Sequence, residues 1–240
     1  MKYISISFLI AIVTATIVRG QAITKIPTNS LNSATNTQQF SLPETSGKPS
    51  KRMYGEFAGA AYLTDGFRSG TVVMSNGKKI EHIKIRLDLV TQEVNFIDTN
   101  GTEAYLDAGL VSEIYFFDTT ARGIVFYHLK TGYPAIDHHA SFHFYQVLAE
   151  GNITLLRWQQ KVIAEKKNYA SGETGKELNS YEAFYIAGKD GMKRVKKDRE
   201  WVTEILSDKK IQVEQYLKMN KVNFRNPEEL AKLVAYYNTL

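Results

Sequence analysis

The sequence predicts an α+β protein that is mainly β: an antiparallel β meander, curled or barrel-like, closed by a short C-terminal helical segment. Three observations carry this expectation. Between Gly59 and about Val195, short apolar runs alternate with turn residues. Nothing with a helical period is long enough to serve as a βαβ crossover, so parallel pairing has no connection to use. Over the last stretch of chain the apolar spacing changes from two to 3.6 residues. The expected organisation is a signal peptide at 1–22, a disordered polar spacer at 23–53, an antiparallel β domain at 54–195 and docked helices at 196–240.

The opening residues are read first, because a targeting segment is not part of a fold. Lys2 supplies a basic start, and Ile4 to Val18 is apolar apart from Ser5, Ser7, Thr14 and Thr16. Gly20-Gln21-Ala22 then places small residues where a signal peptidase inspects them, which predicts cleavage between Ala22 and Ile23 and hence export. The run is shorter than the ~20 residues a membrane span needs, and no later stretch approaches that length. From Ile23 to Met53 the chain is rich in Thr, Ser, Asn, Gln and Pro, with neither period, and cannot bury enough apolar surface to offset chain entropy.

The β region begins with Gly70 to Met74, which leads into Ser75-Asn76-Gly77-Lys78; Asn-Gly between apolar runs is a strong hairpin signal. In the return run, Ile80 to Leu89, Ile83, Ile85, Leu87 and Leu89 alternate with Lys84, Arg86 and Asp88, which makes one face dry and the other wet. Glu93 to Asp98, a second turn at Asn100-Gly101 and Thr102 to Leu106 continue the zigzag. Leu110 to Phe117, Gly123 to Leu129, Ser141 to Leu148, Ile153 to Ala164, Tyr181 to Ala187 and Met192 to Val195 complete about ten strands. A flat open sheet of that size is uncommon, so it must curl into a barrel or split into two packed layers.

Three short helices follow. Trp201, Val202, Ile205 and Leu206 mark the first, and Ile211, Val213, Tyr216 and Leu217 mark a second that starts near Ser207-Asp208. The third has an N-cap at Asn226, proline at the first helical position in Pro227, a capping-box Glu229 and an apolar stripe of Leu230, Leu233, Val234 and Tyr237. Helices this short are marginal alone, so the stripes are expected to dock on the sheet.

Composition removes several function classes. The chain has 240 residues and no cysteine, which excludes disulfides, thiolate metal sites, a cysteine nucleophile and lipidated cysteine. Its 30 basic and 25 acidic residues give +5; loss of Lys2 and Arg19 with the leader would leave +3, too little for an extended nucleic-acid phosphate track.

Tyr62-Leu63-Thr64-Asp65-Gly66-Phe67 with Gly70-Thr71-Val72, Gly77 in a turn, Val111 to Phe117, Phe144 to Leu156 and a closing helix ending Tyr236-Tyr237-Asn238 together resemble the uncharacterised secreted β-meander proteins of Bacteroidota-type bacteria. The resemblance runs from about Gly59 to the C-terminus. It implies a scaffold of leader, β meander and short basic helical tail, and brings no activity or catalytic residue with it.

Among possible sites, four of the five histidines lie between His128 and His143, and Asp137-His138-His139 with His143 invites a metal or general-base reading. If Ser141 to Leu148 is a strand, residues four apart on it lie roughly 13 Å from each other, so His139 and His143 should not converge; His128 or His82 remains within reach across the sheet. Gly172-Glu173-Thr174-Gly175-Lys176 is read as a polar hairpin loop: its first glycine is misplaced for phosphate binding, and Glu177 stands where a Mg²⁺-binding hydroxyl belongs. No Gly-x-Ser-x-Gly elbow occurs. No catalytic set, metal site or cofactor is assigned.

The most distinctive polar feature is the run Lys193, Arg194, Lys196, Lys197 and Arg199, interrupted by Val195 and Asp198 and followed by Trp201. Such a run suits an anionic glycan or lipid surface or an acidic envelope protein; otherwise it is a solvated connection whose lysine stems cover apolar surface. The expected function is thus an exported, non-enzymatic envelope protein, periplasmic or extracellular, that binds a partner. The alternative is an envelope hydrolase built around His138 and His139.

Overall fold

The computed structural model describes Tyr54 and residues 61–240, except Arg122 and residues 168–173. The leader, its Ala22/Ile23 cleavage position and the 23–53 spacer lie outside the described residues.

Among the described residues, ten antiparallel strands form one sheet: β1 Arg68–Met74, β2 Lys79–Leu87, β3 Val94–Ile97, β4 Glu103–Leu106, β5 Val111–Thr120, β6 Gly123–Lys130, β7 Tyr145–Ala149, β8 Thr154–Lys167, β9 Thr174–Gly188 and β10 Gly191–Arg194. Their order across the sheet is β10-β9-β8-β7-β6-β5-β1-β2-β3-β4. The chain therefore meanders twice and jumps once. From β4 a short 3-10 turn at Ala108–Leu110 carries it back past β3 and β2, and β5 pairs with the remaining edge of β1.

The end strands β4 and β10 are not paired with each other, so the sheet is open. It is nevertheless curled. The turn after β2 reaches β8, four strands beyond its neighbour β1: Lys161 donates its amide to Leu89 O at 2.9 Å, and Gln92 donates Nε2 to Gln159 O at 3.1 Å while its Oε1 accepts from Phe144 N at 3.1 Å.

Both Asn-Gly turns are present, in one form. Asp98 N–H bonds to Thr102 O and Gly101 N–H to Asp98 O, as Met74 N–H bonds to Lys78 O and Gly77 N–H to Met74 O. In each turn it is the glycine that takes the left-handed conformation, at φ 82° for Gly77 and 80° for Gly101, the position where a Cβ is penalised. The alternation of β2 has one fault that its sequence does not announce. His82, at φ 57°, is an extra residue opposite β1, so Ile80 and Ile83 both turn to the core despite odd spacing.

Two faces of β7–β10 are covered by different material. Leu155, Phe184, Ile186 and Val195 pack against three helices, α1 Arg199–Ile205, α2 Lys210–Met219 and α3 Pro227–Thr239. Their alternates Leu156, Trp158, Ala183 and Tyr185 pack on the other side with Tyr133 and Ile136 of the β6–β7 connection. A third cluster fills the curl of β1–β6, with Val72, Ile85, Leu87, Phe96, Ile114, Phe116 and Phe144.

Side-chain caps start α1 and α3, whereas α2 starts at Lys210 without one, after a 3-10 turn at Ser207–Lys209. Asp198 caps α1 by accepting from Trp201 N at 2.7 Å. Asn226 caps α3 by accepting from Glu228 N at 2.9 Å, and Glu229 reaches back to Asn223 N and Asn226 Nδ2. Leu230, Leu233, Val234 and Tyr237 are all buried, as the stripe requires. Asn238 clamps α3 to the β7–β8 turn by exchanging two hydrogen bonds with the backbone of Ile153.

Two sequence expectations need correction. Ser141 to Leu148 is not one strand: Ser141-Phe142-His143 is a turn, and β7 starts at Tyr145. Thr174, Gly175 and Lys176 are not loop residues either; they begin β9 opposite Lys167, Lys166 and Glu165.

Candidate functional site

The basic run spans the end of β10 and the entry to α1, and strand alternation divides it. Lys193 lies opposite Ile186, whose side chain belongs to the helix-covered face, whereas Arg194 lies opposite Tyr185 on the other face. Val195 is buried against the helices, which ties the run to the core at its centre. Lys193, Lys196, Lys197 and Arg199 are exposed. No acid among the described residues forms an ion pair with any of these four. Lys197 places its Nζ 4.9 Å from the Phe184 ring centroid, a cation–π contact that directs the stem over apolar surface.

Arg194 is used differently. Its Nη1 lies 3.3 Å from Asp137 Oδ2, which also accepts from Tyr185 Oη at 3.0 Å. Asp137 and its neighbour His138 are left-handed, at φ 50° and 69°, so a carboxylate from the β6–β7 connection is turned down onto β9 and β10.

The adjoining histidines meet because of the turn at 141–143. His143 Nδ1 accepts from Ala140 N at 2.8 Å, and its ring centroid lies 5.6 Å from that of His139. His139 is only 6% exposed, stacks on Trp158 at 3.8 Å and shares a 2.9 Å hydrogen bond between Nδ1 and Tyr145 Oη. Burial, then the neighbouring His143, pushes the His139 pKa down to about 4, and burial also lowers that of His143. Both rings are consequently neutral at pH 7. Burial and then the Asp137 charge push Tyr145 up to about 12. Among the described residues no three His, Asp or Glu side chains are grouped to hold a metal ion.

A second polar group, unmarked by any sequence motif, lies on β5 and β6. Glu113 accepts from the Tyr115 hydroxyl, shares a 2.9 Å contact with His128 Nε2 and lies 3.8 Å from Lys130 Nζ. Register creates it: Tyr115 is opposite His128 and Glu113 opposite Lys130. Burial alone would raise the Glu113 pKa, but the hydrogen bonds from Tyr115 and His128 and the Lys130 charge outweigh it and hold the carboxyl below its ordinary value. Burial and then the Glu113 carboxylate push the Tyr115 hydroxyl up.

Chemically, the His139 group is a packed aromatic and hydrogen-bonded anchor, with the ring Nδ1 committed to Tyr145. The β10–α1 connection instead presents exposed cations that form no ion pair among the described residues. No protein-family model matches the chain, and neither a curated protein nor a solved structure matches it.

Proposed function

We propose that this chain is an exported, non-enzymatic envelope protein that acts as a binding scaffold, with the β10–α1 connection holding an anionic glycan or lipid surface. The observation that carries the reading is the set Lys193, Lys196, Lys197 and Arg199: four exposed cations, none ion-paired among the described residues, attached to a rigid core through Val195 and the Asp198 cap. Arg194, paired with Asp137, orders the strand beside them and is the least disposed of the five to engage a partner. Export is supported by the apolar run from Ile4 to Val18 and its small-residue end at Gly20 and Ala22.

The test is binding to vesicles of anionic phospholipid and to a sulfated or uronic-acid glycan over a salt series. Attraction between exposed charges must weaken as the Debye length falls from about 10 Å at 0.1 M to about 3 Å at 1 M. Lys196→Gln with Lys197→Gln should weaken binding at low salt and cost no more than about 1 kcal/mol of stability, because exposed charges contribute little and the loss is confined to the Lys197–Phe184 contact. Binding by the double variant equal to the parent, or no anionic binding by the parent at low salt, would sink the reading.

A further inference from the structure

The outer face of α2 is an interaction surface that uses no residue of the β10–α1 connection. Val213 and Leu217 are the buried residues of this helix. At about 100° per residue, Ile211, Gln215 and Met219 form the i, i+4, i+8 line on the side opposite to them. The solvent side of a docked helix is ordinarily polar, and both ends of this line are apolar. Ile211 is 71% exposed and Met219 84%, which makes Met219 the most exposed large apolar side chain among the described residues.

The charges beside this line are of one sign. From Lys209 to Pro227 the chain carries five cations and a single acid, Glu214, whose carboxylate lies 4.0 Å from Lys210 Nζ. Lys218 adjoins Met219 on the outer face, and Lys221 and Arg225 follow in the connection to α3. All three are exposed. None of them forms an ion pair among the described residues.

We propose that the outer face of α2 docks on an anionic lipid bilayer, with Ile211 and Met219 entering its interfacial layer and Lys218, Lys221 and Arg225 meeting its headgroups. Charge complementarity and size select this occupant. An anionic bilayer offers headgroups to the three cations and, just beneath them, apolar volume to two long side chains. A glycan or a free phosphate offers only the first. A second copy of the chain would set the same cations against each other. Two side chains on a ridge about 12 Å long also supply far less than the ~800 Å² per partner that a stable protein interface buries.

The purified chain should bind phosphatidylglycerol vesicles at low salt at least about tenfold more tightly than phosphatidylcholine vesicles, since each cation near an anionic surface contributes roughly fivefold. Ile211→Gln with Met219→Gln should weaken binding to the anionic vesicles at least about tenfold, because two apolar side chains no longer leave water. The far-ultraviolet circular dichroism of that variant should match the parent's, both positions being exposed. Sulfated glycan, which has no apolar layer, should bind the parent and the double variant alike, so the β10–α1 reading is scored apart from this surface. The absence of cysteine allows a second measurement. An environment-sensitive nitrobenzoxadiazole label on Met219→Cys should brighten and shift to the blue on addition of the anionic vesicles, whereas the same label on Ile124→Cys, an exposed apolar position of β6, should not. A parent that does not bind phosphatidylglycerol vesicles, or binds both vesicle types equally, overturns the proposal. So does a folded double variant that binds as the parent does, or a label at position 219 that reports no change.

Discussion

Acid should loosen this protein through His139, and the amount follows from its surroundings. The ring is buried, stacked on Trp158 and bonded to Tyr145, with His143 beside it, and its folded pKa is pushed down to about 4 from an ordinary value near 6.5. Between those values the unfolded chain binds the proton and the folded chain does not. Stability therefore rises with pH across that window and is lost as pH falls from about 6.5 to about 4, below which the slope from this group vanishes. Each pKa unit corresponds to about 1.4 kcal/mol, so the fall from about 6.5 to about 4 contributes about 3–3.5 kcal/mol in full, a substantial part of a typical 5–15 kcal/mol total, and most of it is lost by pH 4. Asp137 opposes the shift, whereas Arg194 and His138 add to it, so the figure belongs to the whole group. His143 is shifted in the same direction and adds to the acid loss of both proteins being compared. The assay is urea unfolding at pH 7, 5 and 4 for the parent and His139→Gln, which retains a planar polar group and cannot titrate. The parent should lose about 2–3 kcal/mol more than the variant between pH 7 and pH 4. Equal acid losses would refute the reasoning and show that His139 is solvated and protonates freely in the folded state.

Other outcomes test the frame around the sites. Leu233 is fully buried between α3 and the sheet, so Leu233→Ala should cost about 2–5 kcal/mol in denaturant unfolding; no change would mean that α3 is not docked. A Cβ at Gly151 would sit 2.5 Å from Asn238 Cγ, and Asn238 is held by two bonds to Ile153, so Gly151→Ala should cost about 1–3 kcal/mol. Asn238→Ala should remove most of that penalty when combined with it, since the clash would be relieved. N-terminal sequencing of protein recovered outside the cytoplasm should begin at Ile23; intact residues 1–22 in a membrane fraction would contradict cleavage there.

What could be read from the sequence was local. The alternation of Ile83, Ile85 and Leu87 needs only that successive side chains take opposite faces, and the cap and stripe of α3 need only that its own residues lie within two turns of one another. Both survive in the structure because the buried face and the local period agree. The basic run was equally plain, but its division into Lys193 on one face and Arg194 on the other required knowing that β10 is a strand paired with β9.

Only tertiary structure decided what depends on register. The return of β5 to β1, the curl that brings Leu89 and Gln92 to β8, and the meeting of Glu113 with His128 join residues whose separation along the chain carries no signal. The histidine group shows the same limit at short range. Ser141, Phe142 and His143 imitate a strand by alternating polar and apolar side chains, yet Phe142 is exposed and Ala140 bonds to His143 to close a turn. His139 and His143 are neighbours because Trp158, Tyr145 and Tyr185 offer the connecting loop a surface to pack on. That surface is assembled by strand pairing, which forms only when distant segments come together, so no window of sequence contains it.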